Sequence, residues 1–259
     1  MPGTRSRGTT SSRGEGSVVA IVQARMGSTR LPGKALADLG GRPILEHVVR
    51  RVRRAATVDE VIVATTDRPA DDAIESLCAR LKVRCYRGDE EDVLRRFLGA
   101  IEGTRADVVV RVTADCPLLD PAVIDRVVRA RARAKADYAS NGLERSWPRG
   151  FDVEAVRVEA LAVADRLARQ PHEREHVTPA IYEHPDRFRV MNVLAPPGAR
   201  APELRVCVDT AEDLEVVRRI MAESEDPDGL RDEDVVAFLQ SHPDVRSINA
   251  HVQQKALGE

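Results

Sequence analysis

VVAIV (18–22) followed by QARMGSTRLPGK (23–34) is the stretch on which the reading of this chain turns. The apolar run reads as a buried strand, and a helical pattern begins near Pro43. Between them lie three cations, Arg25, Arg30 and Lys34, and two glycines, Gly27 and Gly33. In an open α/β sheet, ligands bind beyond the carboxyl ends of the strands. A loop of this composition at such a place suits a polyphosphate: glycines let the backbone approach, N–H groups face oxygens, and Arg and Lys neutralise charge. The alternative is a solvated basic loop. It is not a Walker A loop, because five residues rather than four separate the glycines and Ala35 stands where a magnesium-binding hydroxyl is needed. A metal, if used, must therefore be held elsewhere.

Outward from this loop, strands and helices alternate. VIVA (61–64), residues 83–86 and VVVRV (108–112) read as further strands. Helical spacing predicts helices over 44–54, 70–81, 90–102 and 121–135. Such βαβ units imply a mostly parallel sheet with right-handed crossovers. The expected fold is α/β, a Rossmann-like doubly wound sheet with strand order 3-2-1-4 and its switch point between the strands ending at Val22 and Val112. The second half is less regular. Short strands are expected at 137–140, 149–158, 188–194 and 204–208, and helices at 158–168, 211–223 and 232–240, giving a small antiparallel extension that walls an acceptor pocket and supplies a dimer surface. Residues 1–17 read as a disordered tail, 18–244 as one domain and 245–259 as a polar tail.

Composition excludes other classes. A net charge of −2, from 40 basic and 42 acidic residues, is no footprint for nucleic acid. Aromatics at 3% leave no base-stacking platform. No apolar run approaches the roughly 20 residues that span a bilayer. The first seventeen residues carry no apolar core of a secretory signal. Cys78, Cys85, Cys116 and Cys207 have no CxxC spacing and read as reduced thiols, so a cytoplasmic location is expected.

Asp115 and Asp209 each follow a strand at the expected carboxyl edge. Two carboxylates suit Mg²⁺, which is held by one or two of them plus substrate phosphates; alternatively, Asp115 is a loop carboxylate and Asp209 a helix N-terminal residue beside Thr210. PHEREHVTP (171–179) contains an HExxH match, His172, Glu173 and His176, which on a mid-helix would bind zinc in a hydrolase. Pro171 and Pro179 confine it to a short helix. The segment otherwise reads as a grip for an anionic acceptor through His172, Arg174, His176 and Thr178, or as a solvated helix start. Thr65 and Thr66 of VATTD, and GDEEDVLRRF (88–97), could line a nucleotide pocket; Asp92 reads first as a carboxylate favoured at a helix N-terminus.

In order, VQARMGSTRLPGK, VATTD, GDEEDVLRRF, VRVTADCPLLDP, the NG…RGFDVE stretch, HEREHVTP and RVCVDTAEDL resemble the cytidylyltransferase family that includes CMP-KDO synthetases and acylneuraminate cytidylyltransferases, most of all its spore-coat polysaccharide branch. The resemblance covers about residues 18–222 and implies a nucleotide-diphospho-sugar transferase type of sheet. It implies catalytic roles for Arg25, Lys34, Asp115 and Asp209, with Asp115 and Asp209 on Mg²⁺. It places Gln23, Ala24, Arg25, Gly27, Ser28, Arg30, Lys34, Thr65, Thr66, Asp92, Phe97, Thr113 and Asp115 around CTP. It places Asn141, Asp152, Glu154, His172, Arg174 and His176 around an anionic acceptor, and it implies a homodimer. Ala114 departs from the glycine that relatives commonly carry before the aspartate. The implied reaction joins CMP to a sugar acid, or secondly a phosphonate, releasing pyrophosphate. A non-catalytic sugar-nucleotide-binding protein and an HExxH zinc hydrolase are the other readings.

Overall fold

Alternation along the first strand, β1 (Ser17–Gln23), sorts its side chains between two layers: Val18, Ala20 and Val22 pack on one face, Val19 and Ile21 on the other, and all five are buried. The computed structural model, which describes residues 16–254, repeats this in β2 (Glu60–Thr66) and β4 (Ala106–Thr113). A strand buried on both faces reads as a continuous apolar run, as these do. One face is covered by α1 (Ile44–Val52), α2 (Asp72–Leu81), α4 (Pro121–Ala134), α8 (Ala211–Ala222) and α9 (Asp232–Ser241), the other by α3 (Val93–Ile101), α5 (Val158–Leu167) and α7 (Pro179–Tyr182).

The sheet has seven strands in the order β3-β2-β1-β4-β6-β5-β7, with β3 at Arg84–Gly88, β5 at Tyr138–Ser140, β6 at Glu154–Arg157 and β7 at Val190–Asn192. β3, β2, β1 and β4 are mutually parallel, as the βαβ spacing requires, and β6 enters antiparallel between β4 and β5. A separate two-stranded antiparallel pair, Asp38–Leu39 with Arg42–Pro43, leads into α1. β1 and β4 run parallel while the crossovers from them depart in opposite directions, so the expected switch point is present. Register sets Gln23 beside Ala64 on one side and Thr113 on the other, at the carboxyl edge.

The structure departs from expectation at three places. Residues 204–208 do not join the sheet. The Arg149 carbonyl accepts from Val206 N at 2.7 Å and Cys207 N at 3.2 Å, and Val208 N donates to the Asp115 carbonyl at 2.8 Å. Its backbone groups are therefore satisfied by the loops at the carboxyl edge. Residues after Asp244, expected as a polar tail, continue instead from α10 (Pro243–Ser247) and bury Val245 and Asn249. Residues 1–15 of the expected N-terminal tail and 255–259 of the C-terminal one lie outside the described residues, whereas Ser17 begins β1.

Gly150 makes this stitching possible. Its φ is +114°, and a Cβ there would sit 2.6 Å from Cys207 N and 2.7 Å from Val206 C. Both objections, left-handed backbone and a clash with main chain, act together. Gly150→Ala is expected to lower the melting temperature by about 5 °C or more, measured by calorimetry; an unchanged melting temperature would show that the 204–208 connection has slack.

Candidate active site

The loop 23–34 is held by its backbone before any side chain acts. Ala24 N donates to the Ala64 carbonyl at 3.1 Å, and Ala114 N to the Gln23 carbonyl at 2.9 Å. Met26 N donates to Asp71 Oδ1 at 2.8 Å. The buried Asp71 also accepts from Thr65 Oγ1 at 2.8 Å, Thr66 Oγ1 at 2.5 Å and Thr66 N at 3.0 Å. Burial acts to raise this carboxyl, yet the donated bonds hold it below the usual range, so it stays ionised. Gly33 then turns at φ +71° and begins the short 3-10 turn Lys34–Leu36, which aims Lys34 back across the sheet edge.

Lys34 Nζ lies 2.8 Å from Asp115 Oδ2 and 2.6 Å from Asp209 Oδ1. The remaining oxygens are also engaged. Asp115 Oδ1 accepts from Thr113 Oγ1 at 2.5 Å; Asp209 Oδ2 takes Arg205 Nη2 at 2.5 Å and Arg30 Nη2 at 2.9 Å. Arg205 is itself fixed by Asp213, which also closes the capping box of α8. Burial works against ionising both Lys34 and Asp115. Their mutual charge and hydrogen bond overcome it, so the Lys34 ammonium is raised above the ordinary lysine value and the Asp115 carboxyl is held below the usual carboxylate range.

Around this clamp opens a cleft of about 810 Å³, within the range of small-molecule sites. Of the residues expected from sequence, Gln23, Ala24, Arg25, Gly27, Ser28, Arg30, Lys34, Thr113, Asp115, Asp152, Glu154, His176 and Asp209 line it. The others do not, and each has a local reason. Thr65 and Thr66 turn inward to Asp71. Phe97 is fully buried in the core. Asp92 caps α3 through Arg95 N at 3.0 Å and, at 3.4 Å, meets Arg174, whose guanidinium is also bonded to Asp165 at 2.5 Å. Asn141 is buried, its amide bonding the Phe151 carbonyl and Val153 N. His172 faces Glu183 at 3.2 Å.

The HExxH segment forms the five-residue helix α6 (Pro171–Glu175), with His176 as its C-cap. Glu173 Oε2 accepts from Arg169 N at 2.6 Å and Gln170 N at 2.7 Å, so it is a capping carboxylate. Among the described residues no three His, Cys, Asp or Glu side chains gather as a metal cage, so the zinc reading has no ligand set. Asp115 and Asp209 are a different matter. They are two oxygen ligands already closed around one positive charge, the donor set that Mg²⁺ accepts alongside phosphates.

Several lining residues escaped the sequence reading. Arg111 bonds Gln23 Oε1 and pairs with Glu154 at 3.0 Å, its partner by register across β4 and β6. Arg145 pairs with Asp152 at 2.6 Å. Tyr138 and Tyr182 stand 6.1 Å apart and tilted. Arg149 and Gln254 also line the wall. Arg111 was legible as the one polar residue in VVVRV; nothing in the sequence signals Gln254. Burial keeps the His176 imidazole below its ordinary pKa, so it is neutral at pH 7 and can donate or accept a hydrogen bond.

A family profile described as Cytidylyltransferase matches residues 19–241. The chain is 35% identical over 232 residues to the spore coat polysaccharide biosynthesis protein SpsF of Bacillus subtilis, covering 88% of this chain and 95% of that one. It is 42% identical to the 3-deoxy-manno-octulosonate cytidylyltransferase of Trichlorobacter lovleyi over 111 residues, 43% of each chain. The structure of a cytidylyltransferase from Leptospira borgpetersenii superposes with a TM-score of 0.84 at 28% identity, covering 93% of this chain and 99% of that one.

The clamp sets a pH dependence. The Asp115 pKa is lowered on folding, so its stabilisation is full above the unfolded carboxylate value of about 3.9 and is lost as pH falls through the folded one. The Lys34 pKa is raised, so its contribution persists to alkaline pH. Thermal unfolding followed from pH 7 to pH 3 should therefore show wild type losing stability below about pH 4, and Asp115→Asn losing less over the same interval. Equal acid limbs would mean that the pair contributes nothing to folding.

Proposed function

Since the chain belongs to the cytidylyltransferase family and is a nucleotidyltransferase, we propose that it transfers CMP from CTP to a small anionic acceptor with release of pyrophosphate. The observation that carries this reading is the clamp: a cationic loop delivers Lys34 between two carboxylates in the wall of the cleft. Arg25, Arg30 and Lys34 neutralise the triphosphate, and the backbone around Gly27 and Ser28 lies against it. Asp152, Glu154 and His176 face the acceptor, with Tyr138 and Tyr182 beside them.

In the proposed step an acceptor oxygen attacks the α-phosphorus in line; a phosphonate attacks as its oxyanion, and a sugar-acid hydroxyl gives up its proton to solvent water as the O–P bond forms. The bond from that phosphorus to the bridging oxygen breaks, and pyrophosphate leaves with its electron pair. Charge grows on the departing group, where preformed cations act most strongly. Asp115 and Asp209 would hold Mg²⁺, which when bound polarises phosphate oxygens as a Lewis acid. The chain's own part is positional: Asp71 anchors the loop through Met26 N, Arg205 orients Asp209, and Thr113 orients Asp115. No covalent enzyme intermediate is required.

The acceptor is placed first among sugar acids and second among phosphonates. Support comes from the names of the relatives, one in polysaccharide biosynthesis and one acting on 3-deoxy-manno-octulosonate, and from the guanidinium-rich wall. A homodimer is part of the same proposal. The sheet ends at the open edge of β7, near the exposed Leu194 and, through the Glu144–Asn192 contact, Leu143. A cytoplasmic setting is supported by four free cysteines; among the described residues no helix is long and apolar enough to cross a membrane.

Pyrophosphate release from CTP, measured with Mg²⁺ and a panel of sugar acids and phosphonates, tests the reading. Lys34→Met should reduce kcat/KM for CTP by about 100-fold or more, the scale of removing one donor to developing charge. A rate within twofold of wild type would remove the loop from the mechanism.

A further inference from the structure

Six basic side chains other than His176 line the cleft: Arg25, Arg30, Lys34, Arg111, Arg145 and Arg149. Five have a carboxylate within 4.0 Å. Lys34 has Asp115 and Asp209, Arg30 has Asp209, Arg111 has Glu154, Arg145 has Asp152, and Arg25 has Glu90 and Glu175 at longer range. Arg149 is the exception. Among the described residues its guanidinium makes no hydrogen bond and no ion pair.

This is not the slack of a surface side chain. Arg149 is partly buried, and its backbone is fixed on both sides: its N donates to the Leu204 carbonyl at 2.9 Å, and its carbonyl accepts from Val206 and Cys207. Gly150, which no other residue can replace without clash, sets the turn that follows. Asp152, whose charge acts on Arg149, already binds Arg145 with one oxygen and Gly150 N with the other. Burial depresses the Arg149 pKa and the neighbouring Arg145 depresses it further, while Asp152, whose oxygens are both engaged elsewhere, offsets only part of this. A partly desolvated charge without a partner is costly, so a site that keeps one is built for a partner that arrives with the ligand.

We propose that Arg149 is the seat of the acceptor's anionic group, a carboxylate or phosphonate, and that it makes acceptor recognition depend on charge. The inference rests on reading the cleft as a cytidylyltransferase site and adds which residue reads the acceptor. Arg149 comes from the connection between β5 and β6, together with Arg145 and Asp152, whereas the triphosphate cations all come from the loop after β1. A guanidinium presents paired donors to a planar carboxylate or a tetrahedral phosphonate alike. Ser140 and Tyr138 line the same cleft and carry hydroxyls for hydrogen bonds to the same molecule.

The test uses Arg149→Met and Arg149→Gln in the full chain, with three measurements. In ligand-free thermal unfolding, Arg149→Met should melt at or above the wild-type temperature, because an unpaired charge is removed; a clear loss of stability would make Arg149 structural and overturn the proposal. Added inorganic phosphate should raise the wild-type melting temperature more than that of Arg149→Met; equal increments would overturn it. In calorimetry Arg149→Gln should keep the CTP Kd within about twofold. Its KM for 3-deoxy-manno-octulosonate or 2-aminoethylphosphonate, whichever wild type turns over, should rise about 50-fold, the scale of a charge-assisted pair. Weakened CTP binding with an unchanged acceptor KM would put the anion on the nucleotide and overturn it. If wild type releases no pyrophosphate with either acceptor while the phosphate effect still depends on Arg149 and CTP binding does not, the anion seat stands and the cytidylyl-transfer reading fails.

Discussion

One ammonium shared by two carboxylates organises this molecule. Lys34 reaches Asp115 and Asp209 from three separate parts of the chain, and each participant is braced by another contact: Lys34 by the Gly33 turn, Asp115 by Thr113, Asp209 by Arg205 and Arg30. Two carboxylates this close would repel without the cation, and a buried ammonium without them would be strongly disfavoured. The connection 204–208, which leaves the sheet to run beside Asp115, has its reason here. It carries Asp209 to Lys34, 175 positions earlier, and Val208 N bonds the Asp115 backbone to keep it there.

The fold beneath is the means of bringing these groups together. β1 and β4 lie side by side with the crossovers departing in opposite directions, so the ends of both strands open onto one crevice. β6 then inserts antiparallel against β4 and puts Glu154 across from Arg111, which holds Gln23 at the root of the loop. Sheet register thus links the expected nucleotide side to the expected acceptor side through one arginine. Membership of the cytidylyltransferase family accords with this frame, and the proposed roles of individual residues add chemistry to it.

Most of the parallel sheet was legible because strands buried on both faces appear as unbroken apolar runs such as VVAIV and VVVRV, and because helical stripes such as Val93, Leu94 and Phe97 have a clear period. The loop was legible for its density of cations and glycines. What could not be read was which polar side chains face inward. Thr65, Thr66, Asp92 and Asn141 have the chemistry of pocket residues, but buried backbone groups, a helix terminus and Asp71 claim them locally. Conversely Arg149 looked like one arginine among many; its place in the cleft is set by Gly150 and by residues 204–207, more than fifty positions away. The 204–208 segment misled for a related reason. A pentapeptide apolar at all but Arg205 has the pattern of a strand whether its backbone bonds to a sheet or to loops.

The central claim is that Asp115 and Asp209 form a single cation seat around Lys34, for which, as proposed, a divalent ion competes. Titration calorimetry of Mg²⁺ without nucleotide, in wild type and in Lys34→Met, tests it most directly. Removing the competing ammonium should tighten Mg²⁺ binding about tenfold or more, the ordinary scale of coupling between sites. The same affinity in both proteins would mean that the carboxylates and Lys34 do not share one seat, and would contradict the account.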